Sequence, residues 1–273
     1  FITLHLGVLG VLYTGTSPVA VMVCLFLYVI RMFFITAFYH RYFSHRTYKV
    51  SRAMQLLFAI AGCTAGQRGP IWWASHHRHH HMTADQHGDP HSPQNGLLDS
   101  HLLWFLKKGN FATKSARIND LMRFPELRIL ESIHWMPFVL LAVACYFSGM
   151  LLHEFFPALN TSGPQMLVWG FIISTLCLYH GTYTINSLAH RFGSRRYNTT
   201  DNSRNNLWLA LLTLGEGWHN NHHRYPASTR QGFFWWEIDV SYLMLRFMAM
   251  LGLVQDMRPV PQAILLEAQV QSR

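Results

Sequence analysis

The sequence predicts an all-α membrane protein, and three observations carry that expectation. Half of the 273 residues are hydrophobic and only 13% are charged, with a mean hydropathy of +0.11, a balance too apolar for an ordinary soluble domain. Apolar runs occupy 1–13, 18–40, 51–66, 133–156 and 164–186, and three of them reach the roughly 20 residues that a helix needs to cross a bilayer. The basic residues are segregated: 12 of 22 Lys and Arg lie in 40–130, nine lie after 190, and only Arg31 falls elsewhere. The short connections 14–18 and 160–163 carry none, which is the positive-inside pattern of hairpins whose bulk faces the cytoplasm.

The elements follow in order. The run 1–13 starts on Phe1 without an initiator Met and is too short to span, so the first of two hairpins, 1–40, is expected to be incomplete here. Its second helix is 18–40. A polar segment, 41–132, comes next, with turns at "GDPHSP" (88–93) and "RFPEL" (123–127). Within it, 51–66 has the length of an interfacial or buried helix, and if it crossed the bilayer the histidines on either side would be parted. The second hairpin, 133–186, leads into a second polar segment, 187–273. There, "GFFWWEID" (232–239) is of the kind found at the water–lipid boundary. The expectation is one domain over 1–273: four transmembrane helices in two hairpins, with 41–132 and 187–273 forming a cytoplasmic helical cap.

Composition also excludes some functions. The net charge of +9 follows membrane topology, so nucleic acid is not the expected partner. Attraction to anionic lipid or an acidic protein fits better. Cys24, Cys63, Cys145 and Cys177 stand singly in apolar runs, without disulfide or metal spacing.

The 18 histidines carry the chemistry. They cluster as His40 and His45 in "HRYFSH", His77, His80 and His81 in "HRHHH", and His219, His222 and His223 in "HNNHH". At about 100° per residue, i, i+3 and i+4 share a helix face, so each triplet is expected to present three imidazoles to one point. His76 and His79 point away, toward the surface or headgroups. His40 and His45 fall about 140° apart on the same arithmetic, and converge only if the helix ends or bends between them. "NSLAH" adds Asn186 and His190 on one face. Nine imidazoles and an amide are too many for one tetrahedral zinc, and two metal ions fit the count. Imidazole alone does not name the metal. "ESIH" (131–134) is a Glu-x-x-His pair and is read as the polar start of a membrane helix. His5, His134, His153 and His180 are read as helix-end or packed residues. Asp85, Asp89 and Glu216, close in sequence to the clusters, are the candidates to orient the imidazoles.

From about Thr36 to Asp256 the chain resembles the integral-membrane fatty acyl desaturases, in particular the stearoyl-CoA (acyl-CoA delta-9) type and its bacterial relatives. The resemblance is carried by "ITAFYHRYFSHRTYK", "WASHHRHHHMTADQHGDPH", "NSLAHRFGSRRY", "GEGWHNNHHRYP" and "MLGLVQD". It implies two Fe2+ ions on His40, His45, His77, His80, His81, His190, His219, His222 and His223, with Asn186 joining through water. O2 would be the co-substrate, and the product a cis double bond, delta-9, in an acyl-CoA or acyl-lipid. The acyl chain would bend past the metals near Gln67, Trp73, Thr182 and Tyr183. Positions that contact coenzyme A in animal members are Arg68, Ser75 and His76 here, and a basic pair near the thioester is Lys107 and Lys108. Thr36, Met32 and Tyr28 share a helix face running back from His40, and Met32 would shorten the tunnel there to palmitoyl length. The chain shows no nucleotide fingerprint, iron–sulfur spacing or haem domain, so a separate ferredoxin, rubredoxin or cytochrome b5-like donor is implied. The expected place is a bacterial inner membrane, cap on the cytoplasmic side. The rivals are a hydroxylase or ketolase with the same histidine boxes and a non-enzymatic metal-binding membrane protein.

Overall fold

Ser17 opens the first long helix. Its hydroxyl accepts the Ala20 N–H at 3.1 Å, and Pro18 follows at the first helical position, where a missing N–H costs nothing. The same device recurs at Ser162, whose side chain and that of Gln165 form a capping box ahead of Pro164. The computed structural model describes residues 1–271 and is helical, with β pairing among the described residues limited to isolated bridges such as Lys49 with Gln255. The helices that organise it are α1 (Ile2–Thr14), α2 (Pro18–Ser44), α3 (Arg52–Cys63), α4 (Pro70–Thr83), α5 (Leu97–His101), α6 (Pro125–Ser132), α7 (Trp135–Phe155), α8 (Gly163–His190), α9 (Leu207–Leu212), α10 (His219–Arg224) and α11 (Val240–Met250). Of these, α2, α7 and α8 are long and apolar enough to cross a membrane. Two of them outrun the expected 18–40 and 164–186, so His190 rides on its helix and His45 directly follows the end of α2.

The last turns of α2 are not α-helical. From Phe34 to Ser44 the backbone is a π-helix, and the His45 N–H donates to the His40 carbonyl at 3.2 Å. A π-turn places residues five apart one above the other, and such turns concentrate at functional sites. The π turn narrows the angular gap between His40 and His45, the helix ends at Ser44 just before His45, and the two ring centroids lie 4.8 Å apart.

Helix α3 has 12 residues, about 18 Å of rise, too short to cross. It lies against the π segment, where the Phe38 and Phe58 rings stack at 3.5 Å and Gly62 leaves room for the Tyr39 ring. His45 before it and His77 after it can therefore meet. Helix α4 begins at Pro70, and the Glu131 carboxylate accepts the free N–H groups of Ile71 and Trp72 at 2.9 and 3.1 Å. Glu131 of "ESIH" is thus a helix cap.

Arg31 is fully buried between α2 and α8. Its guanidinium donates to Ser174 Oγ at 2.6 Å, Thr175 Oγ1 at 2.8 Å and the Leu27 carbonyl at 3.0 Å, and it meets no carboxylate among the described residues. These neutral oxygens solvate the charge and tie the two spanning helices together.

Gly62→Ala would drive a methyl into the Tyr39 ring. We expect a loss of ~1–3 kcal/mol, as for other overpacked cores, read as a lower melting temperature of the detergent-solubilised protein beside Ala61→Gly.

Candidate metal centre

The α-helical part of the site follows a rule that the spacing argument missed. Helix α4 sends His77 and His81, four apart, to one centre and His80 to another; α10 sends His219 and His223 to the second and His222 to the first. Neither triplet meets at one point. Positions i and i+4 lie one above the other, whereas i+3 leans to the other side of that line. The result is two groups: His40, His45, His77, His81 and His222, and His80, His190, His219 and His223. Within each, one donor atom per residue lies within 4.8 Å of all the others.

The outer ring nitrogens are held by acids. His190 Nδ1–H donates to Asp85 at 2.8 Å, His80 Nδ1–H to Asp89 at 3.0 Å and His223 Nδ1–H to Asp201 at 2.8 Å, while His40 Nδ1 pairs with Glu216. Asp85, Asp89 and Glu216 stand where the sequence reading put them. Asp201 was missed: it lies 22 residues before His223, in a polar loop with no motif. Its place comes from a turn, in which Asp201 Oδ1 accepts the Ser203 N–H at 2.9 Å, so the only sequence signal was an acid in an Asx-turn setting. Glu216 is itself fixed by the buried Arg41 at 3.0 Å and by Gln231 Nε2–H at 3.0 Å.

These contacts settle protonation. Burial would raise the carboxyls of Asp85, Asp89, Asp201 and Glu216, but their histidine partners, with Arg41 beside Glu216, outweigh it and hold all four below the usual range. Burial first, then the neighbouring rings, pushes His45, His77, His81, His219 and His222 far below the ordinary histidine value, and His223 down to about 4. These six imidazoles are neutral near pH 7 and each keeps one ring nitrogen with a free lone pair. His223 shows the consequence: with Nδ1 committed to Asp201, its buried Nε2 has no hydrogen-bond partner among the described residues. His45 and His77 bring their Nε2 atoms to 2.8 Å, and His40 and His222 to 3.1 Å. Two cations, one per group, fit this donor set: neutral imidazoles suit Fe, Zn, Cu and Ni alike.

A cavity of about 300 Å³ runs to this site, lined by Gln67, Trp73, His77, Thr182, Tyr183 and Asn186 among others. A smaller chamber of about 50 Å³ lies beside it, sharing Trp73, His77, Thr182 and Asn186 and ending at Met32, Ile35 and Thr36. Gln67 Nε2–H donates to Thr182 Oγ1 at 3.1 Å and Gln67 Oε1 accepts the Trp73 indole Nε1–H at 3.3 Å, so three expected substrate contacts form one bonded unit at the junction. Tyr28 does not line either chamber. It stands behind Met32, its hydroxyl donating to the Leu212 carbonyl at 2.7 Å. Lys107 and Lys108 are also off the wall: Lys107 pairs with Asp99 at 2.7 Å, and both are exposed on a loop that contributes Leu106 and Phe111 instead. His76 turns inward rather than to the surface, 2% exposed and on the cavity wall; burial holds it down to about 4. His5 and His180, read singly from the sequence, pair at 3.2 Å, and His101 joins His180 at 3.0 Å.

Fold and site together define a helical protein with membrane-capable spans, a buried pair of imidazole clusters able to hold metal, and an apolar channel leading past them. Comparison places that class. The fatty acid desaturase family profile matches residues 16–250. The chain is 39% identical over 242 residues to Delta-9 acyl-lipid desaturase 1 of Arabidopsis thaliana, covering 88% of this chain and 75% of that one. It is 37% identical over 246 residues to the acyl-CoA C20 Delta5-desaturase of Anemone leveillei, covering 89% and 74%. It is 36% identical over 243 residues to the chloroplastic palmitoyl-monogalactosyldiacylglycerol delta-7 desaturase of Arabidopsis thaliana, covering 88% of this chain and 62% of that one. The chain belongs to the fatty acid desaturase family and is an oxidoreductase of lipid metabolism.

Asp201→Asn keeps the turn but weakens the anchor of His223. Loss of such a partner costs about 10- to 100-fold in metal affinity, and we expect the lower end, measured by chelator competition on the iron-loaded protein.

Proposed function

We propose that the protein is an O2-dependent desaturase of a membrane-borne saturated acyl chain, holding two iron ions on the nine histidines, with Asn186 joining through water. The observation that supports it above others is a pair of adjacent cavities that share Trp73, His77, Thr182 and Asn186 as lining beside the imidazole clusters. Iron with O2 would supply the oxidising power that no side chain has for an unactivated methylene. The protein's own part is to hold, bend and dry the chain. Trp73 and the Gln67–Thr182 pair narrow the junction, so one pair of methylenes stops beside the clusters. The carboxylates on the outer nitrogens keep each ring from turning away.

Double-bond position follows from the length between an anchored head and the clusters. Delta-9 is supported by the name of the first relative above, and the delta-5 and delta-7 names of the others show that the family varies in this respect. Those relatives are plant proteins, two of them named for lipid-linked substrates and one for an acyl-CoA, so the bacterial branch is not carried forward and either carrier, acyl-CoA or acyl-lipid, fits the family. Chain length is set at Met32, wedged against Gly181, where an added methyl would meet Met32 Cε and Tyr28 Oη at 2.9 Å. The two electrons of each turnover come from a separate ferredoxin, rubredoxin or cytochrome b5-like donor, drawn to the basic cap. The Lys and Arg distribution supports a cytoplasmic cap.

Expression in a desaturase-deficient host with its own donor should yield a new monounsaturated acid by gas chromatography–mass spectrometry, absent with His80→Ala. Hydroxy acids in its place would favour the hydroxylase. Met32→Ala should shift products from palmitoyl toward stearoyl length by roughly tenfold in their ratio, the discrimination that one or two methylenes allow; Gly181→Ala should favour still shorter chains. An unchanged profile in both would remove Met32 from the floor.

A further inference from the structure

The outer part of the large cavity holds three polar atoms that the desaturation reading leaves unused. His76 Nε2, His91 Nδ1 and Trp104 Nε1 are each buried with no hydrogen-bond partner among the described residues, and all three side chains line the cavity. They are 2%, 5% and 8% exposed. They are also close together: the Trp104 ring lies 5.0 Å from His91 and 6.3 Å from His76, centroid to centroid. Buried polar groups without partners are costly; His91 Nδ1 has the Asp89 carboxylate 3.8 Å away, so His76 Nε2 and Trp104 Nε1 are the two on this wall that a polar group would satisfy.

The chemistry of these two atoms narrows that group. Trp104 Nε1–H can only donate. His76 places Nδ1 3.0 Å from the Trp72 carbonyl, which requires the proton on Nδ1 and leaves Nε2 as an acceptor. One wall thus presents a donor and an acceptor on rings whose centroids lie 6.3 Å apart. A hydroxyl answers both, since its oxygen accepts from Trp104 while its hydrogen goes to His76. Ester and phosphate oxygens answer only the donor and would face the His76 lone pair. The wall is also poor in charge for a polyphosphate, which calls for several cations. Arg68 is the one Lys or Arg among the lining residues, and it is engaged: stacked 4.9 Å from both the Trp72 and Phe111 rings, it donates to the Phe111 carbonyl at 3.1 Å.

We propose that this outer pocket binds an uncharged, hydroxyl-bearing headgroup, so that the substrate is an acyl ester of a sugar- or glycerol-type lipid rather than an acyl-coenzyme A. The inference rests on the desaturase reading for where the substrate lies and goes beyond it in naming the carrier. Trp104 and His76 are then specificity residues that touch the headgroup and leave the reacting carbons alone.

The test offers the iron-loaded full chain, in mixed micelles, equal amounts of dipalmitoyl monogalactosyldiacylglycerol, dipalmitoylphosphatidylcholine and palmitoyl-coenzyme A. Native mass spectrometry reads which carrier stays bound, and product analysis with a reconstituted donor reads which is desaturated. The galactolipid should be retained and desaturated in preference. Trp104→Phe, which keeps the ring and loses the N–H, should lower its retention and raise its KM by about tenfold, the usual size for one buried hydrogen bond. Neither kcat nor iron content should change. His76→Phe should do the same through the acceptor. Equal retention of phosphatidylcholine, or palmitoyl-coenzyme A held alike by the wild type and Trp104→Phe with no galactolipid bound, would overturn the headgroup while leaving the desaturase intact. Galactolipid bound but never desaturated would keep the headgroup and remove the desaturase.

Discussion

Nine imidazoles can share one buried volume only if charged rings are kept few, and much of the structure around them is arranged to that constraint. Each charged ring would raise the cost of the next in a low-dielectric interior. The carboxylates of Asp85, Asp89, Asp201 and Glu216 all face imidazoles, and Glu216 also pairs with Arg41. They accept the Nδ1 protons and thereby point the opposite nitrogens inward. The acids depend in turn on other groups. Asp85 also accepts the Asn202 N–H at 2.7 Å, and Glu216 and Asp239 share the buried Arg41. Removing one acid would free a ring and leave a neighbour unpaired, a coupling typical of buried networks.

The bilayer-length helices impose the second constraint. They must deliver polar ends to one place while their apolar faces stay in lipid. In α2 the π segment solves this by realigning His40 with His45. In α8 the last turn carries Asn186 and His190 to the same level. Arg31, solvated by Ser174 and Thr175 between these helices, fixes their separation where a purely apolar contact could slide. A short α3 that turns back against the π segment then brings His77, His80 and His81 round to the same side.

The channel divides the labour differently. Its junction, built from Trp73, Gln67 and Thr182, sits against the imidazoles, whereas its outer wall and floor are assembled from other elements. A family that keeps one centre and varies these two ends can change carrier and regiochemistry independently, which is the pattern expected when function is grafted on a shared fold. The names of the relatives, with acyl-lipid and acyl-CoA carriers and different double-bond positions, agree with that division.

Much of this was legible in the residues. Hydropathy exposed the spanning helices, since lipid demands long apolar runs, and histidine spacing exposed all nine candidate ligands, since a helix repeats its faces locally. Asp85, Asp89 and Glu216 were found because they lie near their partners along the chain. Contacts made across long separations escaped. Asp201 reaches His223 through a loop turn, His180 meets His5 and His101, and Lys107 is diverted to Asp99, for no local rule states where a loop returns. The division of each histidine triplet between two centres also needed the structure, because spacing gives directions around one axis and not the positions of the other helices. The sequence by itself determined an α-helical membrane protein with a histidine-rich centre, through composition and periodicity. Only the tertiary structure decided which rings gather into each group, which acids hold them and which polar groups line the cavity, because those depend on distances between segments that the chain brings together only when folded.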